Sequence, residues 1–156
     1  MLRSNHTLKR RGTTTVEAAF VLPVLFFFLF AIIEFGHAQM VNNLLNSACR
    51  NGARLGSVEG TSTAQVFGRV NQTLGSAINP SEVAIFVKDA SIYDSPSAPP
   101  TTGAGLEALA DFEVADAEPR QMFLVRAKVL YNNIALIPMP FMNGVVLESQ
   151  AFMRHE

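Results

Sequence analysis

The side chains able to do chemistry are few, and their spacing excludes most catalytic sets. The three histidines, His6, His37 and His155, are far apart, and none forms a metal-ligand spacing with Cys49 or with another histidine. No serine sits in a nucleophile elbow, and no glycine-rich phosphate loop is present. Residues 107–118 gather Glu107, Asp111, Glu113, Asp116 and Glu118. Clustered carboxylates can take calcium, but this spacing is not that of an EF-hand loop and no glycine marks its turn. The stretch therefore reads as a solvated acidic turn or edge. No cofactor is expected, and the chain reads as the substrate of an enzyme rather than as one. Cys49 is the single cysteine, so no intramolecular disulfide can form.

One carboxylate stands apart. Glu17 follows the basic, acid-free stretch that contains Arg3, Lys9, Arg10 and Arg11, and it precedes the uncharged run Ala18 to Ile33. A charged side chain within a bilayer costs about 2.5–3.5 kcal/mol on insertion scales, so such a group is usually paired. A second account of Glu17 is simpler: a carboxylate in the first turns of a helix is favoured by the helix dipole. Five residues before it lies Gly12, which has no side chain to obstruct a protease approaching the backbone.

These residues need an element to hold them. With Val16 before it and Phe35 to Val41 after it, the apolar run reaches the ~20 residues that cross a bilayer. The expected organisation is a basic cytoplasmic leader over 1–12, a transmembrane helix over 13–41 and an exported domain over 42–156. Basic residues are retained on the cytoplasmic side, which places the N-terminus inside. Glu34, near the far end, is expected to meet headgroups or water. Pro23 removes one backbone N–H inside the helix and crowds the carbonyl of Ala19, so a kink is expected there. Three fates fit the segment: a conventional signal peptide, for which Gly36-His37-Ala38 is a poor cleavage site; a permanent bitopic anchor; and a leader cut before the apolar run. Only the third gives Gly12 and Glu17 a joint role.

The stretch Arg11-Gly12-Thr13-Thr14-Thr15-Val16-Glu17, with Val21-Leu22-Pro23 and Ile33-Glu34-Phe35-Gly36 behind it, resembles the TadE-like family, minor pseudopilins of the bacterial tight-adherence (Flp) pilus. Ala48-Cys49-Arg50-Asn51-Gly52-Ala53-Arg54 is similar to that family's helix end, with Cys49 in place of an alanine, and the C-terminal Ser149–Glu156 resembles its closing strand. The resemblance implies insertion in the bacterial inner membrane with a periplasmic domain, and cleavage between Gly12 and Thr13 by a prepilin peptidase. The new Thr13 ammonium of a neighbouring subunit would then pair with Glu17 and set the axial register between subunits. Implied partners are the peptidase, the major pilin, sibling pseudopilins and the inner-membrane assembly platform. The alternative is an unprocessed bitopic protein acting as a scaffold or binding module of the secretion apparatus. Removal of residues 1–12 would leave 8 basic and 13 acidic residues, a balance that argues against nucleic acid as the partner.

The exported part is predicted to be α+β and pilin-like. Val41, Leu44, Leu45, Ala48, Gly52 and Leu55 recur at helical spacing, which extends the first helix over 42–57, with Arg50 and Arg54 as solvated charges. A second helix over 62–78, capped by Thr61 or Ser62, would bury Val66, Phe67, Val70, Leu74, Ala77 and Ile78. Strands are expected near 83–93, 121–132 and 145–154 in an antiparallel sheet. Phe123, Val125, Ala127, Val129 and Tyr131 share one strand face, with Arg126 and Lys128 on the other. The proline-rich stretch 94–105 reads as a loop without periodicity.

Overall fold

The computed structural model describes the backbone of residues 7–156 and the side chains from Thr14 onward. Residues 1–6, half of the expected leader, lie outside the described residues, and for Gly12 and Thr13 only the helical backbone is described. The architecture is α+β: a long N-terminal helix, a second helix and a three-stranded antiparallel sheet.

Helix α1 (Thr7–Gly56) is continuous through Pro23 and runs from the basic stretch to the middle of the domain. At 1.5 Å per residue its 50 residues extend about 75 Å. Its two halves have opposite surroundings. From Val16 to Ile33 nearly every large apolar side chain is exposed, whereas Glu34, Ala38, Val41, Leu45, Ala48, Cys49, Gly52, Ala53 and Gly56 are buried beneath the domain.

Helix α2 (Thr63–Leu74) packs across the upper part of α1, with Val66, Val70 and Leu74 fully buried. Ser62 caps it in a reciprocal box with Gln65, which satisfies two otherwise orphaned donors. The helix stops at Leu74 rather than at the expected residue 78. The N–H groups of Ser76 and Ala77 reach back only three residues, to the carbonyls of Thr73 and Leu74, and this tightening turns Ala77 out to solvent instead of into the core. Gly52 and Gly56 allow the close crossing. A Cβ on Gly52 would stand 2.5 Å from Val70 Cγ2, and one on Gly56 would stand 3.1 Å from both Phe123 and Val66.

The sheet order is β1 (Val83–Asp89), β2 (Met122–Leu130), β3 (Val146–Arg154), with the central β2 antiparallel to both neighbours. Strand β1 ends at Asp89 rather than near residue 93. The Asp89 carboxylate accepts the Ser91 N–H at 2.8 Å, and the chain turns into a single helical turn over Ser91–Asp94. One face of β2 (Phe123, Val125, Ala127 and Val129) joins α1 and α2 in the main core, where Phe112 stacks on Phe123.

The opposite face of β2 is covered as well. Arg126 is only 2 % exposed, and Leu124 beside it is fully buried. The segment after β1 folds back over this face and carries the short helix α3 (Gly103–Glu107). Leu106 and Ala90 pack on Leu124, and the Tyr93 hydroxyl donates to the Pro100 carbonyl at 2.5 Å. Arg126 donates to Gln150 Oε1 at 2.6 Å and pairs with Glu148 and Glu107, so the buried guanidinium is satisfied by partners that keep access to solvent. Alternation along the strand marks the two faces correctly; the cover comes from a loop whose sequence has no period.

Candidate functional site

The residues singled out for processing and assembly lie at the free end of α1. Glu17 is exposed, as are Val16, Phe20 and Val21 around it. Pro23 lies within α1 and is also exposed. The domain does not reach this part of the helix, so Glu17 projects from an uncovered apolar rod. Helix α1 is long and apolar enough to cross a membrane. The chain thus fits a single-pass membrane protein with its domain C-terminal to the span.

A second carboxylate on the same helix has a different environment. Glu34 is 0 % exposed. One carboxylate oxygen accepts the Tyr131 hydroxyl and the other accepts the backbone N–H of Ile137. The Tyr131 oxygen also lies 3.0 Å from the Glu34 carbonyl and 3.5 Å from His37 Nδ1. The expectation that Glu34 meets water or headgroups is therefore corrected: the connection between β2 and β3 returns to α1 and closes over it. Burial, followed by the hydrogen bond and the charge of Glu34, pushes the Tyr131 hydroxyl well above the usual tyrosine range. The arrangement is a polar knot that fastens the base of the domain to the helix. The sequence held a signal for it, because Glu34, Ala38, Val41, Leu45 and Ala48 share one helical stripe. Extending the stripe that starts at Val41 by about two turns toward the N-terminus, through Ala38, places Glu34 under the domain.

The packing of residues 48–56 against α2 and the sheet explains the next part of the helix. Ala48, Cys49, Gly52 and Ala53 all face the core, while Arg50 and Arg54 point to solvent. Cys49 Sγ lies 3.4 Å from the Ser149 carbonyl, and burial pushes its thiol up to about 12. It serves as a small core residue.

Residues 12–54 match the family model of the TadE-like proteins. The match covers most of the stretch over which the resemblance was read. No curated protein and no solved structure matches the chain. The TadE-like segment therefore comprises the exposed apolar rod with Glu17, the Glu34 knot, and the small-residue face on which α2 and the sheet pack. Its last turns are explained by packing, since Gly52 has no room for a side chain. Glu17 has no such packing explanation in this chain.

The acidic stretch 107–118 is used structurally. Glu107 binds Lys128 and Arg126, and these partners hold its carboxyl below the usual range, the Lys128 hydrogen bond contributing most. Glu113 accepts the Thr63 N–H at 2.8 Å and the Ala115 N–H at 3.3 Å; the Thr63 backbone bond is the main reason its carboxyl is also lowered. Asp111 pairs with Lys88 at 2.7 Å. Among the described residues no group of three or more histidine, cysteine or acidic side chains is placed to hold a metal.

Proposed function

We propose that this chain is a minor pseudopilin of the tight-adherence type. It would be held in the bacterial inner membrane with its N-terminus cytoplasmic and its domain periplasmic, and it serves pilus assembly as a non-catalytic subunit. The observation that carries the reading is Glu17, a carboxylate exposed on an uncovered apolar helix within the segment that matches the TadE-like model. An apolar rod without a cover in its own chain is suited to lipid before assembly and to neighbouring helices after it. Cleavage after Gly12 frees the Thr13 ammonium, which on a neighbouring subunit is the natural counter-charge for Glu17. A buried polar pair of this kind fixes register between otherwise slippery helices. The partners are the prepilin peptidase, the major pilin, sibling pseudopilins and the assembly platform.

The decisive experiment is mass spectrometry of the protein isolated from its host membrane. The expected N-terminus is Thr13, and Gly12→Ala abolishes the mass change. An intact leader with normal function in both forms refutes processing and leaves an unprocessed bitopic scaffold. Glu17→Ala is expected to retain cleavage and lose assembly; undiminished piliation refutes the register role.

A further inference from the structure

The connection between β2 and β3 has an unusual composition for a domain surface. Residues 129–147 contain no charged side chain, although Lys128 and Glu148 stand at either end. Its centre, Ile134-Ala135-Leu136-Ile137-Pro138-Met139-Pro140-Phe141-Met142, is almost wholly apolar. Leu136 is 62 % exposed and Phe141 43 % exposed, and neither is drawn into the main core. Aromatic contacts fix the position of this segment. The Phe141 ring stacks on Phe35 with centroids 5.7 Å apart and meets Phe27 edge-on at 6.2 Å. Met142 and Tyr131 pack on Ala38, and the Ile137 N–H is held by Glu34. The loop therefore hangs from the base of the domain along the apolar part of α1.

We infer that this loop is a second membrane contact, a monotopic foot that inserts into the outer interfacial layer of the bilayer that α1 crosses. The inference rests on the membrane-spanning reading of α1 and adds a site to it. Depth follows from helix geometry. Phe27 and Phe35 are eight residues apart, about 12 Å along the axis, so a ring touching both lies near the level of Ala31. A span of ~20 residues starting at Val16 ends near Phe35. Phe141 thus lies about 6 Å below the end of the span, within the ~5–10 Å reached by interfacial apolar groups. The absence of charge over residues 129–147 removes the chief obstacle to that depth. The knot at Glu34 supplies the polar satisfaction that irregular backbone needs there, because the Ile137 N–H and the Tyr131 hydroxyl both bond the carboxylate. The occupant is lipid, because the loop is continuous with the face of the helix that lipid surrounds.

The chain contains no tryptophan, so a single introduced one reports without background. Phe141→Trp and Leu136→Trp are made separately in the full chain and reconstituted in phosphatidylcholine–phosphatidylglycerol vesicles, with and without acyl-brominated phosphatidylcholine. Phe27→Trp marks the span. Phe152→Trp, six residues along β3 from Val146 and about 20 Å away, marks the domain. The expected result is loss of indole emission in brominated vesicles for the Phe141→Trp, Leu136→Trp and Phe27→Trp variants, with Phe152→Trp unaffected. Quenching of Phe27→Trp without quenching of Phe141→Trp and Leu136→Trp overturns the foot and leaves the span standing. Absence of quenching in all three overturns both. Emission of Phe141→Trp that ignores brominated lipid but shifts blue with protein concentration identifies a contact between copies instead, and also overturns the foot.

Discussion

Tyr131→Phe isolates the knot at the base of the domain, because it deletes one oxygen and preserves the ring. Tyr131 is 1 % exposed, and its ring stays packed between Ala38 and Met142. The loss falls on Glu34, which is fully buried and keeps only the Ile137 N–H among its two donors. A hydrogen bond to a charged group contributes about 1.5–3 kcal/mol. For a domain of roughly 100 residues this lowers the thermal midpoint by about 10 °C. The assay is a thermal melt of the full chain in detergent micelles, followed by near-ultraviolet circular dichroism. Tyr93→Phe is the reference, since that hydroxyl donates only to a neutral carbonyl, and its midpoint is expected to fall by less. The double variant Glu34→Gln with Tyr131→Phe is expected to cost less than the sum of the singles, because both act on one bond. A Tyr131→Phe midpoint indistinguishable from that of the parent, or strict additivity in the double variant, refutes the knot as a structural fastening.

Other outcomes follow from the same geometry. Tyr131 ionisation in an alkaline absorbance titration is expected above the ordinary 10.0; its stabilisation is complete below that pH and is lost as pH rises through the higher folded value. Gly52→Ala is expected to destabilise by about 1–3 kcal/mol despite the better helix propensity of alanine, and Val70→Ala in the same chain should recover part of the loss, as urea unfolding would show. Glu113, held below 4.5 chiefly by the Thr63 N–H, contributes stability that is present above that pH and disappears as pH falls through its lowered folded value; melts of Glu113→Ala should show a shallower acid limb than the parent. Cys49 should resist maleimide in the folded chain and react on denaturation in urea, because its thiol is buried and pushed up to about 12.

The elements that declared themselves in the sequence are those whose partners are set by period. The stripe Val41, Leu45 and Ala48, the α2 face at Val66, Val70 and Leu74, and the alternation of β2 all reappear in the core. What was not legible depends on non-periodic segments returning from far along the chain. Arg126 reads in the sequence only as a marker of the strand face opposite Phe123 and Val125, and nothing there shows that the loop carrying α3 covers it. Glu34 reads as solvated because it stands near the far end of the apolar run, yet its partners are Tyr131 and Ile137, 97 and 103 residues away. The processing and register roles proposed for Gly12, Thr13 and Glu17 lie beyond a single chain, since both require a second protein. Their legibility came from the resemblance, with helix chemistry making it reasonable.

The absence of a break in α1 between the apolar rod and the domain has a mechanical consequence. Neither glycine nor proline interrupts the helix at this junction: Gly36 sits inside it, and the Glu34 knot ties the loop across the same turn. A hinge would let the anchor slide or turn while the domain kept its place. Here a displacement of the helix beyond Pro23 passes into the domain without a hinge, and the domain must rise and rotate with it as a piston head follows its rod.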